Sequence, residues 1–347
     1  MDFKKFADSM EHDLDEYLKE THPDVTVRQS SVEKLQGESY TALTVMEHGE
    51  MGVNINLDDL YERMNSGGSY DSVLFAAADI AERHLENMPS WDVTSVIDYE
   101  RAKYMLCVEV IGTEQNAEML ANIPHKEMEN LSMVYRIQLE SDGNGAATVL
   151  VTNSLLERMG VTQEQLHEDA LKNAPEVRPP VMKHMAEVMA ELMRMPAEEL
   201  PADMAPPMYV ITNSDRLHGA AAAFYPDMME QVSRELGGSF FLLPSSIHEV
   251  ILLPDDGQMK TSELKQMVSD INATQVLPKE QLADSVYHYD AETRTFELGE
   301  RYEARRDEKL ADKENRGSVL KDLQARVTGM DVTPKAASHR TKAEPVL

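Results

Sequence analysis

A single cysteine, Cys107, in a chain of 347 residues excludes an internal disulfide. Its place in the strand-like apolar run 104–111 predicts a buried, inert thiol in a reducing compartment. Runs of about 18 uninterrupted apolar residues, the length a membrane-crossing helix needs, are absent. The opening MDFKKFADSMEHDLDEYLKE carries acids where a secretory signal carries an apolar core. A cytoplasmic protein that does not enter a membrane is therefore expected. Basic residues are scarce as well: 33 Lys and Arg stand against 62 Asp and Glu, a formal net charge of −29. From Arg301 onward Lys and Arg outnumber Asp and Glu by 11 to 8, which leaves −32 on residues 1–300. Such a body repels phosphate backbones, since DNA binding needs cations that displace counterions, so direct nucleic-acid binding by it is not expected. The acidity then serves solvation, or mimics a polyanion toward a basic partner.

The familiar chemical fingerprints are missing too. The chain has no G-x-x-x-x-G-K-[ST] phosphate loop, no G-x-G-x-x-G after a strand, no H-E-x-x-H, no C-x-x-C and no G-x-S-x-G elbow. Asp142-Gly-Asn144-Gly begins like a calcium loop but continues with Ala146, and reads as a turn. No metal and no cofactor are implied.

What is present is an ordinary globular composition, 42% hydrophobic and 27% charged, enough for two packed units plus a tail. Phe3, Phe6, Met10, Leu14, Tyr17 and Leu18 form one helical stripe ending before Pro23. Strand-like runs follow at 25–32 and 40–46, then the turn His48-Gly49-Glu50 and an alternating run 51–57; two helices come next, carrying Leu60 to Met64 and Val73 to Leu85. A second hairpin, 133–139 with 146–151, surrounds Asp142 to Gly145, and the Leu155–Met159 motif after it echoes Leu60–Met64, a weak internal repeat of hairpin plus helices. Seven prolines punctuate 174–208, which reads as a strap holding one helix, Val181 to Met195. Its Met182, Met185, Met189 and Met193 stripe fills core gaps or forms a plastic partner-binding face. A hairpin of 208–212 with 220–225 is expected next, then a helix 227–236 stopped by Gly237-Gly238. The wholly apolar strands 240–243 and 250–253 belong at a sheet centre. A helix 262–271 and an edge hairpin, 286–289 with 295–298, complete the body. From about Tyr302 charges of both signs crowd together around a short stripe of Val319, Leu320, Leu323 and Val327, with 328–347 disordered.

The fold class this pattern predicts is α+β, with antiparallel hairpins alternating with helices in two packed subdomains. Their expected bounds are 1–130 and 131–300, with the strap 174–208 in the second and a charged tail, 301–347, behind it.

Two polar clusters carry candidate chemistry. In Pro244-Ser245-Ser246-Ile247-His248-Glu249, two hydroxyls, an imidazole and a carboxylate lie between the two apolar strands, and these are the ingredients of nucleophilic catalysis. Strand neighbours point to opposite faces, however, so His248 and Glu249 do not easily serve one site. Hydrogen bonding of a tight strand connection explains the same residues. The loop Asn213-Ser214-Asp215-Arg216-Leu217-His218-Gly219 offers Asn213 and His218 as ligand contacts, and its residue types are also those of turns.

The block PSSIHEVILLP, Pro244 to Pro254, resembles one in a bacterial family of unknown function often carried on mobile elements, and is distantly similar to the YtpQ-like family. Residues 116–124, 149–153, 209–222 and 270–289 share the resemblance, which covers roughly 1–300. It implies a shared fold, and no activity, cofactor or catalytic residue.

The leading functional reading is a non-enzymatic accessory or protein-interaction protein, favoured by the missing cofactor motifs, the acidity and the methionine content. A hydrolase-like enzyme centred on Ser245, Ser246, His248 and Glu249, with Asn213 and His218, is the alternative. An acidic nucleic-acid mimic that inhibits a basic protein is the third.

Overall fold

The computed structural model describes residues 1–33, 39–47, 52–86, 96–139, 148–196, 199–200 and 207–311. The chain divides into two compact units, Met1–Gly299 and Glu300–Leu347. In the second, residues 300–311 are helical, and the stripe at Val319 to Val327 lies outside the described residues.

The first unit opens with α1 (Phe3–Lys19), started by the Asp2 carboxylate, which accepts the Lys5 N–H at 2.9 Å. Its Phe6, Met10, Leu14 and Leu18 recur at four-residue spacing and are fully buried. Three antiparallel strands follow in the order β1 (Val25–Glu33), β2 (Ser39–Glu47) and β3 (Val53–Asn56). Asn56 ends β3 and caps α2 (Leu57–Asn65) by accepting the Asp58 and Asp59 N–H groups. With α3 (Tyr70–Glu86) these elements close one apolar cluster drawn from residues 6–85. The turn at His48-Gly49-Glu50 lies outside the described residues, as does the one at Asp142 to Gly145.

A second cluster holds residues 96–289 and joins two further antiparallel sheets. One contains β4 (Leu106–Gly112), β5 (His125–Met128), β6 (Leu131–Gln138) and β7 (Thr148–Leu150), with β6 between β4 and β5 and also pairing β7. Leu106, Val108 and Val110 of β4 lie opposite Ile137, Tyr135 and Met133 of β6 on one face. The Tyr135 hydroxyl hydrogen-bonds His167 across that face. The other face of β4 carries Cys107 and Glu109, and Cys107 lies opposite Arg136. Next come α4 (Asn153–Met159) and α5 (Gln163–Val177), capped by the hydroxyls of Thr152 and Thr162.

The remaining elements are β8 (Pro180–His184), α6 (Met185–Met193), β9 (Tyr209–Asn213), α7 (Met228–Leu236), β10 (Phe240–Pro244), β11 (Val250–Pro254), α8 (Thr261–Gln275), β12 (Tyr287–Asp290) and β13 (Thr295–Leu298). Their strands form a six-stranded sheet in the order β13-β12-β10-β11-β9-β8. The apolar β10 and β11 are central and the β12–β13 hairpin closes one edge, as their composition predicts. The molecule is α+β with antiparallel sheets.

Several expectations need correction. Residues 219–224 form a 3-10 helix, not the second arm of a hairpin. Four consecutive alanines have little strand propensity and no branched side chain to pack on a pleat. The predicted helix from Val181 is split: 180–184 pair with β9 as an edge strand, and the helix starts at Met185, where the His184 imidazole accepts the Ala186 N–H at 3.1 Å. The strap is thus partly sheet, and Pro175 sits inside α5. The echo of Leu60–Met64 in Leu155–Met159 does place a helix after a strand in both cases, yet the strand orders of the two sheets differ. The pairing of β4 with β6 runs across residue 130, and the apolar clusters divide between residues 85 and 96.

Candidate functional site

The antiparallel pairing of β9 with β11 sets Ile211 opposite Val250, so the loop leaving β9 meets the loop entering β11. The two clusters singled out by the sequence therefore become one site. Three bonds lock them: Thr212 Oγ1 donates to the His248 carbonyl at 2.8 Å, the Ala220 N–H to Ile247 O at 3.2 Å, and the His218 N–H to His248 Nδ1 at 3.2 Å. Gly219 is required by this approach, since a Cβ there would lie 2.5 Å from the His248 carbonyl oxygen.

Within the first loop Asn213 is buried and serves as a clasp. Its amide donates to Leu217 O at 2.8 Å, and its Oδ1 accepts the Leu217 N–H at 3.3 Å. The loop then holds Arg216 and His218 in left-handed conformation, φ 56° and 53°. In the second loop Ser246 Oγ accepts the His248 N–H at 3.0 Å, the Ser246 N–H donates to Glu249 O, and the Ile247 N–H donates to Glu280 O. Ser245 is half-buried beside them. Among the described residues no hydrogen bond joins either serine hydroxyl to an imidazole.

The two imidazoles do come together, with ring centroids 5.6 Å apart. Because His248 Nδ1 accepts a main-chain N–H, its proton resides on Nε2, which lies 4.0 Å from a Glu280 oxygen. His218 faces inward, its Nδ1 3.7 Å from Glu109 Oε2.

Glu109, in the middle of β4, is 1% exposed. Arg136 of β6 donates from Nε to Oε2 at 2.7 Å, and Arg178, which follows α5, donates from Nη1 to Oε1 at 3.3 Å. The guanidiniums are held in turn by Thr148 and Gln138. Burial pushes the Glu109 carboxyl up, but the charges of Arg136, His218 and Arg178 outweigh it and hold it below the ordinary carboxylate range. For His218 burial is the main cause of a lowered pKa; Glu109 opposes it, while Arg136, His248 and Arg178 add to it. Sequence reasoning missed Glu109, Arg136 and Arg178. The signal available for the first two was a lone charge inside an apolar strand, which survives burial only when paired.

Glu249 does not join this group. It lines a separate cleft of about 180 Å³ together with Val181, Val188, Leu192 and Val210, and with Lys183 and Arg216, both ion-paired to Glu191. The serine-histidine-acid set is therefore dispersed: His248 turns toward His218, Glu249 to another cavity, and the Ser246 hydroxyl to its own loop. Among the described residues no group of three or more His, Cys, Asp or Glu side chains is arranged to hold a metal ion. Nor is any helix among them long and apolar enough to cross a membrane.

Residues 3–291 match the model of a family of unknown function, DUF5688. No curated protein and no solved structure matches.

Proposed function

We propose that this chain, which belongs to the DUF5688 family of unknown function, acts by binding a protein partner rather than by catalysis. The observation that carries the reading is the end of the six-stranded sheet. β8 is its terminal strand, and α6 beside it leaves Leu192 79% and Met193 50% exposed. Bonds from Ser214 N–H to Pro179 O and from Met185 N–H to Met208 O mark odd-numbered positions as those paired with β9. By antiparallel alternation the N–H and C=O groups of Met182 and the N–H of His184 point away from the sheet, while the His184 carbonyl begins the bonding of α6. Among the described residues no strand pairs with them.

The occupant this edge suits is an extended segment of a basic protein, added as a further strand with one apolar side chain in the 180 Å³ cleft. Main-chain bonds to Met182 and His184 supply affinity, and the walls Val181, Val188, Leu192 and Val210 select an apolar side chain. The −32 charge of residues 1–300 draws a cationic partner and speeds encounter. The dispersed serines and imidazoles favour binding over hydrolysis.

The test is an array of short extended peptides, each with one large apolar residue flanked by lysines. Binding by the wild type that slows amide exchange at Met182 and His184, and that Leu192→Glu abolishes, supports the reading. Binding indifferent to Leu192→Glu, protection confined to other amides, or no binding at all overturns it.

A further inference from the structure

The bond from the His218 N–H to His248 Nδ1 differs from the others at the junction of the two loops, because its acceptor can take a proton. Thr212 Oγ1 and the Ala220 N–H donate instead to main-chain carbonyls, of His248 and Ile247, and those bonds do not depend on pH. An imidazole nitrogen accepts only while it is unprotonated; in the imidazolium both nitrogens carry protons and donate. A protonated His248 therefore turns an N–H toward the His218 N–H, and attraction becomes repulsion between two donors.

The surroundings offer the charged ring a second arrangement. Its Nε2 lies 4.0 Å from Glu280 Oε1, so an imidazolium gains an anion on that side as it loses His218. Exposed Lys279, which precedes Glu280, opposes this only through solvent. The other charges around the pair have partners of their own. Glu109, 3.7 Å from His218 Nδ1, is held by Arg136 and Arg178. Arg216 pairs with Glu191, and Asp215 accepts the Ser214 hydroxyl while its charge is felt at Cys107 and Tyr225.

What the bond restrains is the turn 213–218. His218 is held in left-handed conformation, φ 53°, which costs a residue with a Cβ some strain. The ends of the turn stay fastened at Thr212 and Ala220, and the Asn213 clasp keeps Leu217 in place, so loss of the His248 bond shifts the turn without unfolding it. The shift reaches the cleft beside β8 by two routes. Arg216 of the turn lines that cleft and pairs with Glu191 of α6, the helix whose Val188 and Leu192 form its walls. Glu249, which lines it as well, follows His248 directly.

We infer that His248 is a proton-operated latch on this cleft: neutral, it fastens the turn 213–218 and keeps the cleft formed; protonated, it turns to Glu280, frees the turn and loosens the cleft. Regulation of binding rests on the peptide reading above, and its direction follows from the chemistry: a basic extended segment held near neutral pH is released in acid. The latch itself is a property of the chain alone.

The experiment follows the full chain by NMR from about pH 8 to about pH 5, the range in which an imidazole takes its proton. The His218 amide and the methyl groups of Val181, Val188, Leu192 and Val210 should shift together at the midpoint of the His248 ring resonances, while the Ala220 amide stays protected from exchange. In His248→Asn, whose Oδ1 accepts the same N–H at every pH, the transition at that midpoint should vanish. The lysine-flanked peptides supply the functional arm. Wild-type affinity should fall toward acid by about fivefold more than that of His248→Asn, the worth of one hydrogen bond; the variant corrects for the general loss of negative charge. Cleft methyls that ignore the His248 titration, or that respond alike in His248→Asn, overturn the latch. Equal acid sensitivity of peptide binding in the two proteins overturns the regulation. Failure of every peptide at every pH counts against the partner reading alone, and the resonances still decide the latch.

Discussion

At the scale of single residues the balance of charge around Glu109 governs stability. Glu109→Gln preserves shape but leaves Arg136 and Arg178 without their carboxylate. A broken buried pair of this kind costs about 3–5 kcal/mol, read as a fall in the urea midpoint at constant slope. His248 presents a milder case. His248→Ala leaves the His218 N–H without its acceptor, a loss of about 1 kcal/mol, and His248→Asn, which retains an acceptor, should recover part of it; an unchanged midpoint for His248→Ala would deny the bond its structural role. The pH dependence has a definite sign. His218 is held below its ordinary pKa, so in acid the unfolded chain binds the proton more readily than the folded one. Its contribution is therefore intact above the unfolded value of about 6.5 and is lost as pH falls through the folded value. Glu109, also lowered, adds a loss only below the unfolded glutamate value of about 4.3. Denaturation midpoints for His218→Asn should fall less steeply than wild type between these two limits, and parallel curves would refute the assignment.

At the scale of elements, the strand and helix pattern was readable where local chemistry and tertiary context agree. The apolar runs of β10 and β11 declared a sheet centre, the β12–β13 hairpin an edge, and the four-residue spacing of Phe6, Met10, Leu14 and Leu18 the buried stripe of α1. It failed where context overrides composition. Val181 to His184 continue a helical methionine stripe, yet pairing with β9 makes them a strand. The loops bearing His218 and His248 were legible as polar clusters, but their union was not, because it depends on β9 lying beside β11, a contact between segments about 40 residues apart. Glu109 and Arg136 looked like ordinary members of apolar strands, and nothing local to Arg178 tied it to either. The junction of the two loops is testable at Gly219. Gly219→Ala forces a methyl against the His248 carbonyl and should cost about 1–3 kcal/mol by overpacking, while shifting the His218 and His248 ring resonances together. A shift in one ring alone would mean that the loops are not coupled through this contact.

At the scale of the whole molecule, charge is the dominant property, and it sets what the protein meets in solution. Arg178 is buried and Arg136 partly buried against Glu109, so these two cations do little at the surface to offset the −32 of residues 1–300. Duplex DNA carries a dense negative charge, and a body of net charge −32 is expected to repel it at all but high salt. Fluorescence anisotropy with a short labelled duplex should show no binding at physiological ionic strength. Any residual association should not have the steep inverse salt dependence of phosphate contacts; micromolar binding that weakens sharply with salt would overturn this account of the surface. A cationic peptide that engages the β8 edge should behave in the opposite way. Its association rate should rise as salt is lowered, because the field of the whole body steers encounter, while its dissociation rate, set by main-chain bonds to Met182 and His184 and by the apolar cleft, should change little. Leu192→Glu separates the two effects, since it adds to the attractive field yet spoils the cleft: faster arrival with much faster departure is the expected outcome in stopped-flow measurements. Slower arrival with unchanged departure would show that the cleft does not hold the partner.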